Sequence, residues 1–317
     1  MSGLALPLFW TAAGVLLLFL GGEGLIRGSS GLALRLGISP LVVGLTVVAF
    51  GTSSPELAVS LRAAWAGQGD IAAGNVVGSN IANIGLILGL AALLKPVRAA
   101  ARAVRADAPL QAAAGLLLAA VLLDGRVSRG EGLVLLSGIV AYTASALAFA
   151  RREGPEVVRE YHEGLPASRG SLWVLGPLAA GGLGLLLLGA RFFLAGSVEL
   201  ARRAGVSEAV LGLTLVAVGT SLPELVTSVL AALRGEPDIA LGNVLGSNLF
   251  NILGILGAAA AAAPLEVPGI GPGDLLAVAG FGLLVVPVVF TGRSVSRAEG
   301  AGLLLLYLAY LAVRTLG

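Results

Sequence analysis

The chain has 317 residues, of which 57% are hydrophobic and only 12% are charged, and its mean hydropathy is +0.96. This composition excludes a soluble globular protein, in which about a quarter of the residues are charged. The formal charge of +2 comes from arginines in short connections between apolar runs, which argues against a nucleic-acid partner, and the absence of cysteine excludes disulfides and thiolate metal sites.

Apolar runs between polar residues predict five membrane-crossing helices in each half of the chain. The runs approach or reach the ~20 residues that a helix needs to cross a bilayer. In the first half the helices are predicted over residues 4–34, 39–66, 70–94, 108–124 and 130–150. In the second half they are predicted over residues 172–202, 207–234, 238–263, 273–291 and 297–316. The predicted fold class is an all-α polytopic membrane protein with ten transmembrane helices.

The two halves are copies of one unit. A shift of 168 residues superposes residues 44–84 on residues 212–252, with identity at 26 of 41 positions. Because each unit has an odd number of helices, the second copy enters from the opposite face, as in the inverted repeats of many secondary transporters. We therefore expect a first repeat over residues 1–150, a connecting loop over 151–170 and a second repeat over 171–317.

The basic residues predict the orientation in the membrane. Most of the 20 lysines and arginines fall on the face that carries the connecting loop, and such an excess marks the cytoplasmic side. The loop is therefore predicted to be cytoplasmic and both termini extracellular. The compact chain is typical of an integral protein of a prokaryotic plasma membrane, and a monomer is compatible with it.

The second helix of each half contains a motif that combines proline with one glutamate. Residues 51–56 read GTSSPE and residues 219–224 read GTSLPE. Proline lacks an N–H and displaces the carbonyl four residues back, so hydrogen bonding should lapse near Gly51 and Gly219 and free nearby carbonyls. Hydroxyls three or four residues before a glutamate share its side of a helix. Each motif is therefore expected to gather its own hydroxyls, carbonyls and glutamate.

The third helix of each half adds a stripe of polar residues. Residues 74–83 read GNVVGSNIAN and residues 242–251 read GNVLGSNLFN. Asn80 and Asn248 are interpreted as structural. The side chains that lie four residues apart, and so on one helix face, are Ser79 with Asn83 and Ser247 with Asn251.

Glu56 and Glu224 are predicted to share a bound cation. An ionisable residue at the bilayer centre costs at least about 2.5 kcal/mol, and only Arg62 and Arg234, near helix ends, bring positive charge to these helices. Carboxylate, hydroxyl, amide and carbonyl oxygens without His or Cys suit calcium or sodium better than zinc or copper. For the serines, a hydrogen bond within the helix is the alternative role.

On these motifs the chain resembles the cation/calcium exchanger superfamily, specifically the sodium/calcium exchanger branch, whose repeats carry G-T-S-x-P-E and then G-N-x-x-G-S-N. Through the repeat, the resemblance covers nearly the whole chain. It implies an antiporter rather than an enzyme, with no cofactor, that exchanges three sodium ions for one calcium ion at mid-membrane. It also implies the ligands: Glu56, Glu224 and the carbonyls of Thr52 and Thr220 for calcium; Ser53, Ser79, Ser221, Ser247 and the carbonyls of Ala49 and Ala217 for sodium; and Asn83 and Asn251 along the central position.

The resemblance favours sodium as the counter-ion. Proton/calcium exchangers typically read G-N-x-x-E where this chain has the threonine and serine of each GTS motif. Asn251 stands where potassium-dependent relatives have aspartate, so potassium co-transport is not expected. Proton-driven calcium exchange and a calcium-permeable channel are the alternatives. Protons are expected to compete with calcium for the two glutamates at low pH.

The expected mechanism is alternating access, in which the long first and sixth helices slide across a fixed site. The glycines repeated in those helices, at positions 21, 28, 189 and 196, are predicted to provide the smooth contact for this movement.

Overall fold

The computed structural model describes residues 2–150, 171–204 and 219–316, which are mostly helical. The helices of the first half are α1 (Ser2–Leu36), α2 (Pro40–Thr52), α3 (Ser54–Trp65), α4 (Gly69–Leu94), α5 (Ala103–Val121) and α6 (Arg129–Ala150). Those described in the second half are α7 (Leu172–Arg203), α8 (Leu222–Arg234), α9 (Pro237–Ala262), α10 (Pro272–Phe290) and α11 (Arg297–Leu316). The predicted connecting loop and residues 207–218 of a predicted helix lie outside the described residues.

Seven of the described helices are long and apolar enough to cross a membrane, or eight if α2 and α3 together form one bent span. The seven are α1, α4, α5, α6, α7, α9 and α10. A helix of about 20 apolar residues matches the thickness of the hydrocarbon core. The chain is therefore polytopic, while the count of ten spans stays a prediction.

Four of the described helices contain a π turn, in which the hydrogen bonds reach back five residues instead of four. These turns are Gly44–Val48 in α2, Asn83–Leu88 in α4, Ala103–Asp107 in α5 and Phe250–Leu256 in α9. The turn in α5 shows that the predicted start of this helix at residue 108 is wrong. Ala108 donates its N–H to the carbonyl of Ala103, so the wider turn carries the helix past Pro109.

Two short antiparallel ribbons join the halves, so the all-α prediction is wrong at these residues. The strands are β1 (Val97–Arg98), β2 (Arg126–Val127), β3 (Leu265–Glu266) and β4 (Ser294–Val295). β1 pairs with β4, and β2 pairs with β3. The reason is that a connection of one half lies beside a connection of the other, where extended segments can share backbone hydrogen bonds.

The helices α4 and α9 form the centre of the fold. In their most apolar stretches 78% and 83% of the residues are buried, against 22% and 28% in α1 and α7. The outer pair α1 and α7 pack on each other through glycine. A Cβ added at Gly21 would lie 2.5 Å from the backbone N of Leu186, and one at Gly189 would lie 2.7 Å from that of Leu18. These glycines therefore bring the two long helices into close contact, while their predicted role in a sliding movement stays a prediction.

Candidate ion-binding site

A non-helical residue directly precedes the helix that carries the glutamate of each half. α2 ends at Thr52 and α3 begins at Ser54, with a bend of 47° between them. Ser53 at the bend has φ −84° and ψ 8°, and Ser221, just before α8, has φ −89° and ψ 9°. Each of these serines lies two residues after Gly51 or Gly219, the glycines near which the sequence predicts a lapse in hydrogen bonding. The proline is thereby placed in the first turn of the following helix, where an N–H has no partner within the helix to lose.

The breaks put Glu56 and Glu224 in the first turns of α3 and α8. Both residues are buried, with 1% of their surface exposed. The first turn of a helix offers N–H groups without helical partners and the positive end of the helix dipole. The local structure therefore favours a carboxylate at both positions, which the sequence analysis did not anticipate.

The carbonyls next to the first break already have hydrogen-bond donors. The Gly51 carbonyl accepts a 2.7 Å bond from the Ser54 hydroxyl. The Ala49 carbonyl accepts the N–H of Ser53 at 3.0 Å and lies 3.3 Å from the Thr52 hydroxyl. The expectation that the proline frees the Gly51 carbonyl is therefore wrong, because a serine hydroxyl replaces the missing N–H.

The serines of the two breaks bond the glutamates of the opposite halves. Ser53 donates its hydroxyl to Oε1 of Glu224 at 2.7 Å, and Ser221 donates to Oε1 of Glu56 at 3.1 Å. The Ser221 hydroxyl also lies 3.5 Å from that of Ser79. The expectation that each motif gathers its own hydroxyls is wrong for these serines. The non-helical backbone at each serine removes the side-by-side relation of residues three apart and turns the hydroxyl toward the other half.

Several buried oxygen atoms have no hydrogen-bond partner in the described part of the chain. They include Oε2 of Glu56 and Oε2 of Glu224. Three further predicted ligands have the same property, namely Asn83 through Oδ1, Asn251 through Oδ1 and Ser247 through Oγ. A buried oxygen without a partner is costly, and each such atom in a folded protein calls for an explanation. A cation bound between the two glutamates would give their unpaired oxygens a partner.

An asparagine chain links the third helices of the two halves. Asn83 donates its amide to Oδ1 of Asn248 at 2.9 Å, and Asn248 donates to the carbonyl of Asn80 at 3.4 Å. Asn80 donates to the carbonyl of Val76 in its own helix at 2.7 Å. These contacts agree with a structural role for Asn80 and Asn248. They also orient Asn83, which, like Asn251, lies in a π turn.

The threonines of the two GTS motifs, Thr52 and Thr220, lie next to the glutamates. The Thr52 hydroxyl is buried and lies 3.1 Å from Oδ1 of Asn243. Thr220 is partly buried, with its side chain beside the Glu56 carboxylate. Ala217 lies outside the described residues. The structure therefore groups Thr52, Thr220 and the crossed serines around the glutamates, whereas Ser247 and Asn251 have no hydrogen bond to either glutamate among the described residues.

Two asparagines that the sequence analysis did not single out brace the glutamate backbones. The Asn75 amide lies 3.1 Å from the carbonyl of Glu56 and 2.9 Å from Oγ of Ser60. The same contacts recur 168 residues later, where the Asn243 amide lies 3.3 Å from the carbonyl of Glu224 and 2.9 Å from Oγ of Ser228. The repeated serine and asparagine were visible in the sequence, but their pairing across helices was not.

No ion pair neutralises Glu56 or Glu224 within the described ranges of the chain, whose ion pairs involve other acidic residues. Two buried carboxylates without a positive partner are unfavourable when ionised. Hydroxyl and amide oxygens around two carboxylates form a ligand set for a hard cation such as calcium or sodium. The arrangement can therefore hold a cation between the two halves.

Comparison with known proteins agrees with this chemistry. The family model described as sodium/calcium exchanger protein matches residues 6–148 and 176–316. The chain is 37% identical over 304 residues to the inner membrane protein YrbG of Escherichia coli, covering 92% of this chain and 91% of that protein. It is 33% identical over 344 residues to the sodium/calcium exchanger MaX1 of Methanosarcina acetivorans, covering 95% and 96%.

A solved structure matches the fold over almost its full length. It is the sodium/calcium exchanger from Methanococcus jannaschii, with 30% identity, a TM-score of 0.84 and coverage of 98% of both chains. The arrangement of helices described above is thus shared with a solved sodium/calcium exchanger.

Proposed function

This chain belongs to the sodium/calcium exchanger protein family, and on that premise we propose that it exchanges sodium for calcium across a membrane at a site around Glu56 and Glu224. It is an integral membrane protein of the cation/calcium exchanger type. The observation that carries the proposal is that each glutamate binds a serine of the opposite half and keeps a second buried oxygen without a partner in the described residues. Such a site needs both halves and offers unpaired oxygens to a cation.

The proposed architecture is two inverted five-helix repeats, with ten spans in total. The first repeat covers residues 1–150, the loop 151–170 and the second repeat 171–317. Two features support it: the crossed serine bonds, and the ribbons β1–β4 and β2–β3, which the shift of 168 residues relates to each other, since β1 corresponds to β3 and β2 to β4. Contacts that exchange the halves in this way are typical of a pseudo-two-fold axis in the membrane plane.

The proposed ligands follow the motif of the family. Calcium is bound by both glutamates, with the carbonyls of Thr52 and Thr220, and the central position is lined by Asn83 and Asn251. The sodium ligands are Ser53, Ser79, Ser221, Ser247 and the carbonyls of Ala49 and Ala217. The unpaired buried oxygens of five of these residues support the assignment.

We propose three sodium ions for each calcium ion, exchanged by alternating access. Since one net charge then crosses the membrane per cycle, the driving force changes by about 2.3 kcal/mol per 100 mV of membrane potential. The packing of α1 on α7 through glycines supports movement of these two helices as one unit past the central helices. The proposed location is a prokaryotic plasma membrane with both termini outside, and protons compete with calcium at the two glutamates.

The test is calcium uptake into proteoliposomes driven by an outward sodium gradient. Glu56→Gln and Glu224→Gln should each abolish uptake, because an amide removes one of the charges that neutralise the divalent ion. Glu266→Gln is the matched control, since Glu266 is exposed and pairs only with Arg126 among the described ion pairs; this variant should transport like the intact chain.

The outcomes separate the alternatives. Uptake that follows a proton gradient and ignores sodium would establish proton-driven exchange instead. Downhill calcium flux without any counter-ion would indicate a channel. Exchange that is unaffected by membrane potential would contradict the stoichiometry, and exchange retained by both glutamine variants would refute the site.

A further inference from the structure

A cavity of about 370 Å³ lies next to the ion-binding site. It lies between α7 and the start of α3, and Leu187 of α7 forms part of its wall. Pro55 and Thr220 line it as well. Pro55 directly precedes Glu56 in the chain, and the Thr220 side chain lies beside the Glu56 carboxylate. An ion that enters this cavity therefore reaches the residues next to Glu56.

Two arginines, Arg62 and Arg191, line the same cavity. Both are exposed, and neither takes part in an ion pair in the described part of the chain. On the same helix as Arg191, by contrast, Arg203 pairs with Glu199 at 2.7 Å. A cavity beside the cation site is thus lined by two positive charges that form no ion pair in the described part of the chain.

The repeat does not reproduce these charges on the opposite side of the site. The shift of 168 residues relates Arg62 to Leu230 and Arg191 to Glu23. Leu230 lies against Gly22, so that α1 packs on α8 where the cavity would be expected. Glu23 is engaged there in an ion pair with Arg234 at 2.9 Å. The structure is therefore open along the route that carries the arginine pair and packed at the equivalent place.

We propose that Arg62 and Arg191 form a charge filter that slows the entry of divalent cations more than that of monovalent cations from the face onto which the cavity opens. The inference rests on the proposed function, because it concerns selectivity during exchange. A positive potential lowers the local concentration of a cation by a Boltzmann factor that depends on the ion's charge. The factor for calcium is the square of the factor for sodium.

The size of the effect follows from Coulomb's law. Two unit charges about 10 Å from an ion in water, at an ionic strength of about 10 mM, lower the entry rate roughly threefold for a monovalent and roughly eightfold for a divalent cation. At about 0.5 M the Debye length is shorter than that separation, and the effect on both ions falls to less than about 1.5-fold. The filter alters rates of entry and leaves the overall equilibrium of exchange unchanged.

The experiment measures the association rate of calcium with the purified, sodium-free protein by mixing it rapidly with a calcium-sensitive dye. The double variant Arg62→Gln with Arg191→Gln should associate with calcium roughly eightfold faster than the intact chain at low ionic strength, and at the same rate at high ionic strength. The double variant Arg62→Lys with Arg191→Lys keeps both charges and should associate with calcium at the rate of the intact chain. Arg129→Gln removes an exposed arginine elsewhere and should change nothing.

Equal association rates for the intact chain and the double glutamine variant at low ionic strength would overturn the filter. A faster association rate that persists at high ionic strength, or that the double lysine variant shares, would also overturn the filter. Such a rate would reflect the shape of the cavity and not its charge. If the intact chain does not bind calcium, or binds it equally well as Glu56→Gln, the proposed function fails instead. The two failures are thus distinguishable.

Discussion

The crossed hydrogen bond from Ser53 to Glu224 makes a quantitative prediction for Ser53→Ala. The serine hydroxyl lies 2.7 Å from Oε1 of a carboxylate with 1% of its surface exposed. A hydrogen bond to a charged group contributes about 1.5 to 3 kcal/mol. Because each 1.4 kcal/mol is a factor of ten in affinity, the loss of this bond should weaken calcium binding about 10- to 100-fold.

The equivalent variant Ser221→Ala should have the smaller effect. Its hydroxyl lies 3.1 Å from Oε1 of Glu56, which is longer than the roughly 2.5 to 2.7 Å of a strong hydroxyl–carboxylate bond. We expect a loss of calcium affinity of about 3- to 10-fold, in line with an ordinary hydrogen bond of about 1 kcal/mol. Whether Ser53→Ala loses more calcium affinity than Ser221→Ala therefore tests the lengths of the two hydrogen bonds as well as their existence.

The assay is calcium titration calorimetry of the purified protein at neutral pH without sodium. Ser54→Ala is the matched control, because the adjacent Ser54 hydroxyl bonds the Gly51 carbonyl at 2.7 Å and the second half has Leu222 at the equivalent position. It should keep calcium affinity within about twofold. An unchanged affinity in Ser53→Ala, with the variant folded, would refute the reasoning, and so would an equal loss in Ser54→Ala.

Three further predictions concern other parts of the fold. Asn243→Ala removes a buried amide that braces the site, and should lower the unfolding free energy by about 1 to 3 kcal/mol, measured by denaturant titration in detergent. Gly182→Ala should destabilise by about 1 to 3 kcal/mol in the same titration, because its Cβ would lie 2.3 Å from the backbone N of Leu25, whereas Gly181→Ala has nothing within 4 Å and should be neutral. Burial raises the pKa of Glu236, which lies between two helices, above its ordinary 4.5. A carboxyl with a raised pKa favours the folded state at low pH, so that part of the stability should be lost as pH rises from about 4.5 through the folded pKa, and Glu236→Gln should abolish the loss in thermal unfolding followed against pH.

Much of the site could be predicted from the sequence because the chain contains it twice. The 168-residue shift pairs Glu56 with Glu224, and both are buried. A carboxylate repeated in an apolar stretch indicates a shared charge partner, whatever the packing of the helices. The residues proposed to ligate through side chains stand out for the same reason, and Asn83 and Ser247 have unpaired buried oxygens in the described part of the chain.

The spacing of residues along the sequence predicts the wrong neighbours where the helix is interrupted. Spacing predicted Ser53 beside Glu56, since residues three apart are neighbours in a continuous helix. The backbone at Ser53 is not helical, and its hydroxyl bonds Glu224 instead. The role of Asn75 is not visible in the sequence for a related reason. Its contact with the Glu56 carbonyl joins two helices, and spacing within one helix does not define how two helices lie relative to each other.

The sequence by itself determined that the chain lies in a membrane, that it consists of two related halves and that each half places one glutamate in an apolar stretch, since composition, periodicity and repetition are properties of the chain. Only the tertiary structure decided that the serines cross between the halves and that the cavity opens beside Arg62 and Arg191 while α1 packs against α8 on the other side. Two nearly identical halves have nearly the same local preferences. Which of two equivalent routes to the site is open therefore depends on how the long helices pack on the centre, and that packing is set by contacts between segments far apart in the chain.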